Sequence, residues 1–394
     1  MDLQAIQSAL RAQSLDGWLF CDHHRRDPMA YRILGLPEHG MATRRWWYYI
    51  PATGEPVKLS HRVEPRALSS LPGRQEHYLA WTELHAKLKA IVAGAKTIAM
   101  QYSPDNNIPY IGLVDAGTVE LIRSFGPKIA TSADLVQQFE ATFGDEGLRS
   151  HTWAGERVQK IKNETFAAMS KALTSGTKVT EYELKEQVLR RFAEEGLTSD
   201  GASPIVGFND HPADPHFEPE KDTSYTLKKG DTVLLDVWAR RIEPTGVYYD
   251  ITWCAFAGTN PPAKYVEIFK VAREARETAV AFVTKRLAEG RPVHGYEVDD
   301  ACRKVVKDAG YGDHFLHRTG HSIGTEVHGN GANIDNLETK DERLIVPGTC
   351  FSVEPGIYLP GDKMAVRTEV DVFVTEAGKA VVVGEVQKEL VLLG

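Results

Sequence analysis

Two acids end apolar runs in the second half of the chain, Asp236 after Val233-Leu234-Leu235 and Glu354 after Phe351-Ser352-Val353. Each is followed by a second acid, Asp250 and Glu369. Runs of this kind are strands whose neighbours belong in a core, and a buried carboxylate there needs compensation. Pro244-Thr245-Gly246 lies beside the midpoint of the first pair and Pro360-Gly361-Asp362 at the midpoint of the second. Antiparallel hairpins over 232–237 with 247–257, and over 349–353 with 366–375, would set the two acids of each pair nearly opposite one another. Four converging carboxylates raise each other's pKa or demand cations, and cation binding is the more economical outcome.

An imidazole joins them from His317-Arg-Thr-Gly320-His321-Ser322-Ile323-Gly324, where flanking glycines let the backbone turn tightly and present the His321 ring. One imidazole among oxygen ligands suits Mn²⁺, Co²⁺, Zn²⁺ or Fe²⁺. Two such ions, about 3.5–4 Å apart, form a known hydrolytic arrangement: a bridging hydroxide exists near neutral pH and the attacked carbonyl is polarised. No protein nucleophile is then required.

The elements that carry these groups repeat. Val179-Thr-Glu-Tyr182-Glu183-Leu184 running to Gly196 matches Val293-His-Gly-Tyr296-Glu297-Val298 running to Gly310, every position shifted by 114. Leu184, Val188 and Phe192 form one apolar stripe, and Val298, Cys302 and Val306 form another, so each copy predicts a helix. A strand pair follows each helix, with Gly230 and Gly348, like Asp236 and Glu354, offset by 118. Residues 1 to 150 read as a mixed α/β unit, with strands at 17–21 and 46–50 and a helix at 81–92. The aromatic run Trp46 to Tyr49 enters a turn and reads as a packed strand rather than a stacking platform.

A length of 394 residues with 42% hydrophobic content supports two domains. Forty-six basic against 54 acidic residues, net charge −8, with no basic block, argues against nucleic acid. Residues 1–20 lack the basic and apolar regions of a secretion signal, and no apolar stretch is long enough to span a membrane. Scattered Cys21, Cys254, Cys302 and Cys350 fit reduced packing thiols and a cytoplasmic location.

Over residues 155 to 390 these motifs resemble the pita-bread (M24) metallopeptidases, the family of methionine aminopeptidase, aminopeptidase P, prolidase and the metal-free creatinase. The resemblance implies an α+β fold, with a smaller α/β creatinase/prolidase-type domain at 1–150 before a pita-bread catalytic domain at 151–394 built as a pseudo-twofold repeat. It implies five metal ligands, Asp236, Asp250, His321, Glu354 and Glu369, for two divalent ions, Mn²⁺ foremost with Co²⁺ or Zn²⁺ as alternatives. Asn209-Asp-His-Pro-Ala-Asp-Pro-His216-Phe resembles the stretch carrying a substrate-facing His in the proline-specific branch, so His216 is the matched residue and His211 a weaker one. His328 in Glu-Val-His matches the second such His, and Glu354 also matches the proton shuttle. His317 and Arg367 are read as substrate-side or supporting groups, Arg367 orienting Glu369 or pairing with Asp371. The implied activity is Xaa-Pro aminopeptidase or Xaa-Pro dipeptidase action on a proline-containing peptide, by a homodimer whose N-terminal domain can lend a lid to the partner's site. Two positions depart from the pattern: Val237-Trp238 stands where relatives have Gly after the first Asp, and Trp253 where they have Arg.

Three rivals have a footing in the sequence. Gly320-His-Ser322-Ile-Gly324 fits the G-x-S-x-G elbow of serine hydrolases, but glycine-rich residues follow where a helix is required, and no histidine occurs after His328. A creatinase-like amidinohydrolase without metal would not need the intact carboxylates and His321. A non-catalytic pita-bread binding module usually loses ligands, and none is lost here.

Overall fold

The structure is a computed structural model that describes every residue except Glu38. The chain forms two compact units, residues 1–140 and 141–394.

The first unit is built on a six-stranded sheet of β1 (Gly17–Asp22), β2 (Trp46–Pro51), β3 (Val57–His61), β4 (Arg74–Tyr78), β5 (Thr97–Met100) and β6 (Lys128–Thr131). The spatial order is β4-β3-β2-β1-β5-β6, with β1 antiparallel to β2 and parallel to β5. Helices α1 (Leu3–Ala12), α2 (Pro28–Leu34), α3 (Trp81–Ile91), α4 (Ala116–Ser124) and α5 (Ala133–Glu140) complete it. Trp18, Phe20, Trp46 and Tyr48 enter one buried cluster, while Leu19, Trp47 and Tyr49 enter another. Successive side chains of a strand point to opposite faces. A strand covered on both faces therefore reads as an unbroken apolar run, which is why the aromatics at 46–49 are core.

The second unit opens with the long helix α6 (Gly144–Ser175), which contains position 150, followed by α7 (Glu181–Glu194). Its first sheet holds β7 (Leu197–Thr198), β8 (Ile205–Phe208), β9 (Thr232–Arg241) and β10 (Tyr249–Phe256). Then come α8 (Ala263–Ala288), α9 (Gly295–Asp308) and the second sheet, β11 (Ser322–Ile323), β12 (Cys350–Val353), β15 (Val370–Val374) and β16 (Ala380–Val382). Between β12 and β15 lies a separate hairpin, β13 (Gly356–Leu359) with β14 (Met364–Arg367). The terminal β17 (Val391–Leu392) returns to pair parallel with β10.

The repeat is visible in the elements. α7 and α9 are each 14 residues long and each bury the stripe expected of them: Leu184, Val188 and Phe192, then Val298, Cys302 and Val306. Both begin with a capping box, Thr180 with Glu183 and His294 with Glu297. Reciprocal bonds of this kind satisfy amides that the first turn leaves without partners. All four cysteines are free. Among the described residues no helix is long and apolar enough to cross a membrane.

Candidate metal centre

The β9–β10 hairpin supplies the two aspartates. Its register sets Asp250 opposite Trp238 and Asp236 opposite Thr252. The aspartates are thus diagonal neighbours on one face, close to the nearly opposite placement that the turn implied. The turn is irregular, with Glu243 N donating to the Arg241 carbonyl and Gly246 N to the Glu243 carbonyl, and the partner of Asp236 is shifted by two residues, from 250 to Thr252. Side-chain alternation puts Asp236, Trp238, Asp250 and Thr252 on the same face.

The glutamates come from an interrupted hairpin. The returning segment predicted as one strand over 366–375 is two, β14 and β15, parted at Thr368 and Glu369. Val353 pairs with Val370 on one side of the break and Gly356 with Arg367 on the other. The register is the same on both sides, so Glu354 and Glu369 face each other where the ladder thins to one long bond, from Thr368 N to the Pro355 carbonyl at 3.4 Å.

His321 is placed by the edge of β12. Its backbone N donates to Ser352 Oγ at 3.0 Å, Ser352 N donates to its carbonyl at 2.9 Å, and Glu354 N donates to the Thr319 carbonyl at 2.8 Å. Gly320 permits this approach, because a Cβ there would lie 1.9 Å from the Ser352 carbonyl oxygen. The His321 Nδ1–H donates to the Ser322 carbonyl at 3.2 Å. That bond fixes the tautomer and leaves the Nε2 lone pair free. Nε2 lies 3.3 Å from Glu354 Oε1 and 3.7 Å from Asp250 Oδ2.

One ligand atom each from Asp250, His321 and Glu369 lie within 4.8 Å of one another, and all three residues are buried. Burial and then the surrounding carboxylates hold Asp250 and Glu369 well above the ordinary range. Burial raises Asp236 too, against the pull of Arg367, and pushes His321 down to about 3. Asp236 Oδ1, Asp250 Oδ1 and Glu369 Oε1 are buried without a hydrogen-bond partner among the described residues. Each such acceptor costs about 1–3 kcal/mol if left unmet. Three bare carboxylate oxygens beside a neutral imidazole nitrogen are a donor set that fits divalent cations.

Around this set runs a ring of supporting groups. Arg367, read as serving Glu369 or Asp371, instead pairs through Nη2 with Asp236 and donates from Nη1 to the Tyr358 hydroxyl and from Nε to Thr252 Oγ1, both at 3.1 Å. Glu354 Oε2 is 3.8 Å from Nε. The cause is local: Arg367 is paired with Gly356, and a Cβ at Gly356 would sit 2.6 Å from the Tyr358 hydroxyl oxygen. Thr252 Oγ1 in turn donates to Glu369 Oε2 at 2.7 Å. Asp371 Oδ2 accepts the Asp250 amide at 2.7 Å and lies 3.8 Å from Nε2 of the fully buried His151 of α6.

Thr252 and Asp371 follow Asp250 and Glu369 by two positions, so strand alternation was a signal for both. Tyr358 and His151 carried none, since the contacts that matter span distant segments.

The remaining histidines separate. The His328 ring stands edge-on to His321, centroids 4.3 Å apart, so the structure brings it to the centre. His216 is exposed on a turn. His317 Nε2 bonds the Tyr358 hydroxyl at 2.8 Å and Nδ1 the Arg318 carbonyl at 2.7 Å, with burial lowering its pKa to about 4. His211, the weaker of the two substrate-facing candidates, holds the buried Glu181 carboxylate at 2.8 Å between the rings of Phe217 and Tyr225. Ser322 lies buried in β11, where its Oγ accepts the Gly331 amide at 2.9 Å. It is a brace for a loop, not an exposed nucleophile.

A two-unit α+β chain with carboxylates and one histidine gathered in the second unit describes a hydrolase of the pita-bread class. Residues 155–376, more than half of the chain, match the family model described as metallopeptidase family M24, and the chain belongs to that family. An uncharacterised peptidase of Staphylococcus saprophyticus is 32% identical over 67% of this chain and 69% of its own length. An Xaa-Pro dipeptidase of Lactobacillus delbrueckii is 30% identical over 53% of this chain and 50% of its own. Among solved structures, dipeptidase PepE of Mycobacterium ulcerans has a TM-score of 0.72 at 24% identity, covering 99% of this chain and 96% of that one. A prolidase of Thermococcus sibiricus has a TM-score of 0.66 at 21% identity, with both chains fully covered (100% each). The expected architecture, an N-terminal domain before a pita-bread domain, is the one these folds share.

Proposed function

We propose that this chain hydrolyses the peptide bond preceding proline, as an Xaa-Pro dipeptidase or Xaa-Pro aminopeptidase, with two divalent ions held by Asp236, Asp250, His321, Glu354 and Glu369. The observation that carries the reading is the cluster of buried, unpartnered carboxylate oxygens around His321 Nε2. Names of relatives support the substrate class.

When bound, the ions would supply an acidified water as nucleophile and a polarised scissile carbonyl. Glu354, beside His321 and at the break of the hairpin, takes the proton and passes it to the leaving amine. His328 and His216 approach from two loops and hold the carbonyl oxygen and the substrate carboxylate. Arg367 and Thr252 fix the carboxylates, so orientation is set before substrate arrives. Mn²⁺ is the first expectation for the metal, and a homodimer in the cytoplasm completes the proposal.

Apoenzyme is to be supplied with Mn²⁺, Co²⁺ or Zn²⁺ and assayed on Xaa-Pro dipeptides, Xaa-Pro-Xaa tripeptides and creatine. Hydrolysis of either peptide class with about two ions per chain is expected, lost in Asp250→Ala. Metal-independent turnover of creatine would establish the amidinohydrolase alternative. A folded chain inert to all three substrates, with metal bound, would establish the binding module.

A further inference from the structure

The N-terminal unit contains a cavity of about 440 Å³ that no part of the peptidase reading uses. Ligand sites of small molecules begin at about 300 Å³. Its floor holds two polar groups without partners among the described residues, Asp27 Oδ2 and the Trp47 indole Nε1. Asp27 is 3% exposed and Trp47 2%. One is an acceptor and the other a donor, so the floor asks for a ligand that offers both.

The floor is built in advance. Asp22, at the end of β1, accepts the backbone amides of Arg25, Arg26 and Asp27 at 2.7–3.2 Å and the Tyr31 hydroxyl at 2.8 Å. The loop between β1 and α2 is thereby wrapped around one carboxylate. Asp27 caps α2 with Oδ1, which accepts the Ala30 amide at 2.9 Å, and so its Oδ2 is left facing the cavity.

Arg26 and Arg45 also line the cavity and are exposed. Neither guanidinium has an ion-pair partner among the described residues, and His23, which shares the cavity, is lowered by burial first and then by His24, Arg26 and Arg45. Leu113 and Leu121 supply an apolar wall. A buried carboxylate, guanidinium cations that no ion pair within 4 Å engages among the described residues, and an apolar wall together match a zwitterion with a hydrocarbon side chain.

We propose that this cavity binds a free α-amino acid with an apolar side chain, its ammonium on Asp27 and its carboxylate between Arg26 and Arg45. The site is lined by residues of the first unit and does not depend on the peptidase reading. Burial raises the empty Asp27 carboxyl to about 7, as a carboxylate awaiting a cation would be.

The test uses the Trp47 indole N–H resonance of the full chain at about pH 8, where Asp27 is ionised, assigned by its loss in Trp47→Phe. L-Leucine should shift it saturably, while isoamylamine, 4-methylpentanoate and inorganic phosphate bind at least about tenfold more weakly. Asp27→Asn, which keeps an oxygen to cap α2, and Arg45→Ala should each abolish the leucine shift. Glu354→Gln should respond like the native chain. The proposal is overturned by no shift with leucine, by an equal shift from phosphate or from either half of the zwitterion, or by an unchanged response in Asp27→Asn. Loss of the response in Glu354→Gln would place leucine at the metal centre and overturn it equally.

Discussion

Thr252 shows how much the centre asks of one small side chain. Its hydroxyl uses its proton on Glu369 and a lone pair on Arg367, joining the glutamate at the break after β14 to the guanidinium that holds Asp236 of β9. Thr252→Val keeps the shape and removes both bonds. We expect metal affinity or kcat to fall about 10–100-fold, with Thr252→Ser largely restoring it, measured by metal titration and steady-state kinetics. Acidity is a second handle. Asp250 and Glu369 are raised in the folded chain, so the stability they lend is present below the unfolded value of about 4 and is lost as pH climbs through their folded values. His321, at about 3, is already neutral in this window. Cations require the ionised acids, so the melting-temperature gap between Mn²⁺-loaded and metal-free protein should widen from about pH 5 to about pH 8. A constant or narrowing gap by calorimetry would contradict carboxylate ligation. Asp236 and Glu354 were legible as polar residues ending apolar runs, Asp250 and Glu369 through the turns that pair them, and His321 through its flanking glycines. The partner of Arg367 was not, because a guanidinium reaches across the fold and sequence spacing does not say which of several acids it meets.

At the scale of elements, the hairpins and the paired helices followed from periodicity and turn residues. The break between β14 and β15 did not. Thr368 and Glu369 continue an extended pattern, and only the three-dimensional path shows that the ladder thins there to one long bond. Gly320 belongs to this scale as well. Sequence reading assigned its neighbourhood a tight turn, whereas its φ is unremarkable and its necessity comes from lying against the Ser352 carbonyl. Gly320→Ala should therefore cost on the order of 3 kcal/mol or more, by forcing the His321 segment away from β12. Denaturant unfolding would show the loss, and bound metal should fall with it. Stability within about 0.5 kcal/mol of the native chain would mean that the segment moves freely.

For the whole molecule, the two units were legible from length and from the change of pattern, and the family from its motifs. The cavity floored by Asp27 and Trp47 was invisible in sequence, since an aspartate before a proline reads as a helix cap and a tryptophan in an aromatic run as core. The repeat has one further consequence. β9 and β10 carry two of the acids, while His321 and the other two acids come after α8, so neither half of the second unit possesses the full anionic cluster. The linking residues 258–262 are partly or fully exposed. A chain nicked there would leave two fragments with an incomplete ligand set apiece, and Mn²⁺ should act as their glue. Gel filtration of the nicked protein should show fragments that remain together with the cation and part when it is chelated in mild denaturant.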